Sequence, residues 1–467
     1  MHIRQKFPVV RLWVGFVALM IGCSLRAAAP DANAPLPEVL FPQLNAIMVK
    51  ALTQSNTMLL RNIDIAQAEA SEIIVKSQLL PRLDTSVYYS SNTTSFVSTS
   101  SVSSRSSGLF YSLSASQPVY QWGTLKAQAD SAKIGTKIAE KNYAEAYRML
   151  ALSLRSQYTG LILKKMGLRN AEFGLKLASA ALDVEEERLR NGRISAGDII
   201  APRLSVDDAR LARDKTEADL NQSIRYFCRL AGLDGLEVTA IPDTIDLGGQ
   251  YYGTPYTTTL VQKFTGSDVE DTIQAQIYRD NIAQADLSYK VAKYRLYPKF
   301  SASAGISQYN STSASVGAVS QVQLNAETFS ITAAWNIFDG FATIGAKRSA
   351  LAFKESYQRQ LDNYLRTASE QARDLERALN FSSRAMQLAD TRRALQQSAV
   401  QLVGQDLARG VGTQNAVDGA TNTFYQSELA AVAARADFLN KWAEFLSALN
   451  LDPALQNLPA RYLSHGK

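Results

Sequence analysis

A stretch in the first half of this chain recurs in the second half at a nearly constant distance, so whatever it folds into must be built from two similar halves. IAQAE at Ile65 leads to Pro81 in LLPRL, and IAQAD at Ile282 leads to Pro298 in LYPKF; Pro298 lies 217 positions after Pro81. QPVYQWG from Gln117 pairs with WNIFDGF from Trp335 at a distance of 218, and Gly192–Asp234 pairs with Gly410–Asp452 at 218 without a gap. A unit of this length is no small solenoid repeat and reads as a duplicated half-protein.

The N-terminus has the order of a secretory signal, with Arg4, Lys6 and Arg11 ahead of the apolar run LWVGFVALMIG. The run is too short to span a bilayer as a stable helix. Residues 1–22 are read as the signal, with MIGC offering Cys23 as a lipid anchor; the alternative is cleavage after Ala29 in AAA. Either route exports the chain. The 49 basic residues lose three with the segment before Cys23, leaving 46 against 43 acidic ones, so the basic pI is no argument for nucleic acid. Cys228 is left without an intramolecular partner and reads as a buried thiol. Histidine occurs only at His2 and His465, which argues against metal sites and histidine-based catalysis. No later stretch is a transmembrane helix, so membrane insertion would require a β-barrel.

Strand signals follow each proline. Leu83, Thr85, Val87 and Tyr89 alternate with Asp84, Ser86, Tyr88 and Ser90; after a Ser/Thr-rich stretch, Leu109, Tyr111, Leu113 and Ala115 alternate with Phe110, Ser112, Ser114 and Ser116. The second half repeats this with Phe300, Ala302, Ala304 and Ile306, then Phe329, Ile331, Ala333, Trp335 and Ile337. The spacing predicts strands over about 82–91, 109–119, 299–308 and 327–338, joined within each hairpin by a long polar loop. One face of each is mainly apolar and the other small and hydroxylated, as a barrel between lipid and a watery lumen requires. Tyr88, Tyr89, Tyr111, Tyr120, Trp122, Tyr297, Tyr309, Trp335 and Phe338 are read as interfacial girdles. Ordinary hairpins on a soluble domain are the alternative. Four strands cannot close a transmembrane barrel, so the barrel must be shared between chains.

Between Gly123 and Gly192, Tyr143, Tyr147, Leu150, Leu154, Tyr158 and Leu161 recur at steps of three and four; Gly340 to Gly410 carries Leu361, Tyr364, Ala368, Ala372, Leu375 and Leu379 in the same way. Each span is about 100 Å long as a helix, too long for a compact domain, and implies coiled-coil packing. Glycine turns end both: RNGRISAGD around Gly192 and RGVGTQNAVD around Gly410, with Ser195 and Thr413 as candidate N-caps of the return helices. Pro202 falls early in the first return helix, where Ala420 stands in the second.

With the repeat, the hairpins after Pro81 and Pro298, the long helices and the G-x-x-S/T tips, the chain resembles the TolC-like family of outer-membrane efflux and secretion channels over nearly all its length. The resemblance implies a mainly α fold with a membrane β-barrel: a homotrimer, four strands per chain in a twelve-stranded barrel, and an antiparallel helical tunnel across the periplasm. It divides the chain into a first repeat over 36–234, an equatorial linker over 235–271, a second repeat over 272–452 and a tail over 453–467. Pro81 and Pro298 mark the helix-to-strand junctions. Gly192, Ser195, Gly410, Gly412 and Thr413 map to tips that dock a periplasmic adaptor protein coupled to an inner-membrane pump or ABC transporter.

Some members ring the narrowest point with two aspartates just after the second tip. Alignment through Thr423 and Tyr425 puts Ala416 and Gly419 there, with Asp418 one step away. Asp418 is therefore a gate candidate, its alternative being an exposed helix-start carboxylate, and Asp198 is a weaker candidate of the same kind. The implied function is a passive conduit in the bacterial outer membrane for small-molecule efflux. Type I protein secretion is the alternative, and a non-conducting, lipid-tethered periplasmic spacer is the alternative of another class. No P-loop, Ser/His/Asp set or metal-ligand cluster appears, so neither enzymatic activity nor a cofactor is expected.

Overall fold

The computed structural model describes residues 36–96, 102–247, 254–315 and 318–463; the signal, Cys23, Ala29 and His465 lie outside them. Near the N-terminus, α1 (Pro37–Leu40), α2 (Pro42–Gln54) and α3 (Asn56–Ser77) lead to a hairpin of β1 (Arg82–Phe96) and β2 (Val102–Tyr120). Then come the 67-residue α4 (Thr124–Arg190) and its return helix α5 (Ile200–Ala231). After α6 (Thr254–Gly266) the order recurs: α7 (Ile273–Lys293), β3 (Lys299–Ser315), β4 (Ala318–Ala334), the 67-residue α8 (Ala342–Ala408), α9 (Gln414–Ala448), and a short α10 (Ala460–Leu463). At 1.5 Å per residue α4 and α8 are each about 100 Å long. Among the described residues no helix is long and apolar enough to cross a membrane.

The two halves also bend alike. Each strand-to-helix corner uses two successive left-handed residues, Trp122 and Gly123 (φ +57° and +74°) and Gly340 and Phe341 (+61° and +69°). Each long helix and its return helix end with an amide bonded five residues back: Arg193 to the Arg188 carbonyl (2.9 Å), Leu233 to Cys228 (2.8 Å), Val411 to Asp406 (3.0 Å) and Leu451 to Leu446 (2.8 Å). That bond closes the Schellman stop and satisfies a carbonyl the helix leaves free.

The four strands form one antiparallel sheet in the order β1-β2-β3-β4. The expected hairpins are present, but the strands are longer and the loops shorter than the sequence pattern suggested. Asn92, Thr93, Thr94 and Ser95 pair with Ser106, Arg105, Ser104 and Ser103, so the ladder continues through the Ser/Thr-rich stretch. Alternation fades there because both faces are polar, while backbone pairing needs no apolar face. At the other end β4 stops at Ala334, the partner of Lys299, because β3 begins just after Pro298 and leaves Trp335–Phe338 nothing to pair with.

Pro81 and Pro298 stand directly before β1 and β3. Around the second junction Trp122 donates Nε1–H to the Pro298 carbonyl (2.8 Å) and packs edge-on against Tyr120 and Tyr297 (5.1 and 4.9 Å). Trp335 Nε1 likewise donates to the Leu296 carbonyl (2.9 Å). These aromatics brace the sheet on its helices.

The core lies around the middle of α4. Tyr147, Leu150, Leu154, Tyr158 and Ile162 are buried against Leu44 and Met48 of α2, Leu220 and Phe227 of α5, and Phe438, Trp442 and Phe445 of α9. Inside it, Arg155 is 1% exposed and holds both ends of the described chain: Nη1 and Nη2 donate to the two carboxylate oxygens of buried Asp452 (2.7 Å each), and Nε donates to Glu38 Oε2 (2.8 Å). Burial works against the Arg155 charge, but the hydrogen bonds and charges of Asp452 and Glu38 outweigh it and raise its pKa above the ordinary arginine value. The segment between the halves is pinned across the helices, with Lys165 Nζ donating to the Ile241 carbonyl (2.5 Å) and Arg435 Nη1 to the Ile245 carbonyl (2.7 Å).

Removing one partner of such a cluster strands buried charge. Arg155→Leu is expected to cost about 3–5 kcal/mol, read as a lower midpoint in thermal unfolding, whereas Arg155→Leu with Glu38→Leu and Asp452→Leu is expected to cost less than the single change. A single variant as stable as the parent would show that the cluster does not hold together the buried belt around the middle of α4.

Candidate functional site: the sheet faces and the helix tips

Register divides the sheet into two unlike faces. On one, Leu83, Val87 and Tyr89 stand beside Leu109, Tyr111, Leu113, Ala304, Ile306, Phe329 and Ile331 as an exposed apolar band. Toward the hairpin ends this face turns polar at Thr93, Arg105, Asn310, Gln321 and Gln323. The other face is hydroxylated, with cross-strand contacts Ser86–Ser112 (2.9 Å) and Ser303–Ser330 (2.8 Å). Along β3 its residues Ser301, Ser303, Gly305, Ser307, Tyr309, Ser311 and Ser313 are all half-buried, while on the apolar face Ala304, Ile306, Asn310 and Thr312 are exposed and Ala302 and Gln308 half-buried. The hydroxylated side is thus the concave one.

This sorting corrects the reading of the aromatics. Tyr89 ends the apolar band in β1 and Tyr111 lies within it, between Leu109 and Leu113, but Tyr88 and Tyr309 are on the hydroxylated face, so they form no lipid girdle. Period-two alternation puts Tyr88 and Tyr89 on opposite sides, which an aromatic count along the chain does not register.

The two tips differ in how they restart the helix. Thr413 Oγ1 accepts from the Ala416 amide (3.3 Å) and caps α9 as expected. Gly412 is required there, since an added Cβ would sit 2.8 Å from the Leu407 nitrogen. Ser195 is not the cap of α5. Its amide and hydroxyl both donate to Asp198 Oδ2 (2.8 Å each), closing a separate turn, and α5 begins only at Ile200. Pro202 accounts for the delay: a helix starting at Ala196 would put it in the interior, where it lacks the amide to bond the Asp198 carbonyl. The same two hydrogen bonds hold the Asp198 carboxyl below its usual range, so this carboxylate is engaged within its own turn. Asp418 is half-buried and accepts from Gln414 Nε2 one turn before it (2.8 Å). Val411 protrudes at the second tip, 79% exposed.

Sequence reading missed a brace between the two helix pairs. Arg169 of α4 pairs with Glu428 of α9 and lies 4.8 Å from the Tyr425 ring centre, Asn170 Nδ2 donates to the Tyr425 carbonyl (3.0 Å), and Phe173 packs edge-on against Tyr425 (4.9 Å). Tyr425 is 12 residues beyond Thr413, about 18 Å along α9. No sequence signal links positions this far apart. Among the described residues no group of His, Cys, Asp or Glu could hold a metal ion.

Residues 47–232 match the model of a family described as outer membrane efflux protein. No curated protein matches the sequence. Among solved structures, the fold is similar to the CmeC outer membrane channel of Campylobacter jejuni (15% identity, 89% of this chain and 90% of that one, TM-score 0.67) and the outer membrane protein VceC of Vibrio cholerae (15%, 87% and 96%, 0.61). It is also similar to the open state of the MtrE outer membrane channel of Neisseria gonorrhoeae (17%, 88% and 90%, 0.60). The resemblance to TolC-like channels is borne out by the family match over residues 47–232 and by the fold, and the description of the matched family supports an outer-membrane location.

The unequal tips give a direct test. Thr413→Ala removes a cap worth about 1 kcal/mol, so the Ala416 amide is expected to exchange with deuterium about fivefold faster, while Ser195→Ala leaves the first turn of α5 unchanged. Equal effects at both tips would contradict the assignment.

Proposed function

We propose that the chain is one subunit of a homotrimeric outer-membrane channel, a water-filled conduit through which small molecules leave the cell. A periplasmic adaptor would dock at the tips around Gly192, Ser195, Gly410, Gly412 and Thr413, and an inner-membrane pump would supply the energy. The role is transport, not catalysis.

The observation that carries this reading is that the single chain is incomplete in ways that copies of itself complete. Both outer strands of the sheet, β1 and β4, have an unpaired edge. The long helix α8 has apolar seams on two opposite faces. Ala372, Leu379 and Met386, seven residues apart, are at most 2% exposed. Two positions on, roughly 200° around the helix, Phe381, Leu388, Leu395 and Leu402 repeat the same spacing and are 52–66% exposed. A helix with seams on both sides is a stave in a wall. The exposed Ile200, Leu204 and Leu211 on α5 offer the matching surface of the next copy.

Opening consists of helices parting at the tips, with the Arg169–Glu428–Tyr425 brace holding α9 against α4 in the form described here. Asp418 is the gate candidate: three copies would set three carboxylates around the mouth, disfavouring anions. Asp198, engaged by Ser195, is the weaker one. The description of the matched family favours efflux over type I secretion.

Burying a leucine is worth about 2 kcal/mol. Leu388→Glu with Leu395→Glu is therefore expected to convert the detergent-purified protein from trimer to monomer, measured by light scattering, while Leu379→Glu disrupts the single chain instead. A trimer surviving the double change would contradict the seam. In planar bilayers the trimer is expected to pass ions with a cation bias that Asp418→Ala weakens. A trimer that never conducts, even with the brace removed by Glu428→Ala, would favour the non-conducting spacer.

A further inference from the structure

One row of side chains on the concave, hydroxylated face is unlike the rest. Tyr88, Phe110, Tyr309 and Leu324 are cross-strand partners in a single line through all four strands. Their rings are in contact, with centroids 4.7 Å apart for Tyr88–Phe110 and 6.5 Å for Phe110–Tyr309. The rows on either side are smaller: Ser86, Ser112, Ser307 and Ala326 toward the helices, and Ser90, Gly108, Ser311 and Val322 toward the hairpin ends. The large side chains therefore project furthest from this face. The row lies one residue from the level at which the opposite face turns polar at Asn310 and Gln323, but on the side opposite the apolar band, so its rings point away from that band. Among the described residues the rings contact one another, and the Tyr309 hydroxyl also meets Ser106 and Ser311 beside it.

Resting on the channel reading above, we propose that this row closes, in the trimer, into an aromatic collar inside the barrel, and that it is a contact site for apolar aromatic solutes in transit. Three copies supply nine aromatic rings and three leucines. The rings offer π faces and edges without charge, and the nearest ionic side chains on this face, Arg82 and Asp84, neutralise each other at 2.8 Å. Such a collar discriminates by aromatic surface: stacked or edge-on ring contacts are worth about 0.5–1.5 kcal/mol each, and a small hydrated ion gains none of them. The serine-rich rows on both sides keep most of the neighbouring lumen wetted, so a solute is held at one level and then released.

The test is chemical protection of the row just below the collar. In the purified trimer carrying Ser112→Cys, the introduced thiol is labelled with a charged, water-soluble methanethiosulfonate and read at its own peptide by mass spectrometry. Tetraphenylphosphonium is expected to slow labelling about fivefold, whereas tetramethylammonium at the same concentration does not. In Tyr88→Ser/Phe110→Ser/Tyr309→Ser the protection is expected to vanish; should that variant fail to form trimers, Phe110→Ser alone is expected to lose most of it. Equal effects of the two cations, or protection that persists without the rings, would overturn the collar. Tyr111→Cys, on the apolar face, separates this from failure of the channel reading: if it labels as fast as Ser112→Cys, the faces are not lumen and lipid, and the barrel itself is wrong.

Discussion

Backbone hydrogen bonding in lipid is the constraint on which the rest of this structure depends. A strand edge facing hydrocarbon leaves a column of N–H and C=O groups unsatisfied, each costing several kcal/mol, so a membrane sheet must close on itself. This chain contributes four strands and two open edges, too few to close around a lumen. Sharing the barrel between copies, as proposed above, would satisfy both edges. The same sharing would account for the helices, since strands from several chains can rise together only if the helices below them also stand side by side.

That arrangement imposes a second requirement, that a helix of about 100 Å stay straight and in register without a globular core along its length. The chain meets it in two ways. Seven-residue seams lie on opposite sides of α8, one buried within the chain and one left exposed for the proposed neighbour, and a buried belt grips α4 near its midpoint. The belt is ionic at its centre because one arginine, Arg155, can take Asp452 with two nitrogens while turning the third toward Glu38. A residue near each end of the described chain is thereby tied to one point on the 67-residue α4.

Much of this was legible in the sequence, and the exceptions have physical causes. The alternation at Leu83–Tyr89 betrayed a strand because its two faces meet different media; beyond Ser90 both faces are polar, so the same strand read as a loop. Pro81 and Pro298 marked the junctions because a proline beyond the first turn lacks the amide to continue a helix. Thr413 was recognisable as a cap from local spacing alone, whereas the equivalent role failed at Ser195 because Pro202, seven residues on, moved the start of α5. The aromatic row was visible residue by residue, but its continuity depends on register between strands that are distant in sequence. The Arg155–Asp452 pair, 297 positions apart, and the Arg169–Glu428 brace left no local signal at all.

The central claim is that β1 of one copy pairs with β4 of the next. Cysteine pairs placed on the two edges, with Thr85→Cys combined in turn with Phe329→Cys and Ile331→Cys, test it by oxidation in the outer membrane followed by denaturing gel electrophoresis. The account predicts disulfide-linked dimers and trimers for at least one register, reversed by reductant. Cross-links confined to the monomer would mean that the four strands close within one chain, and would contradict the shared barrel.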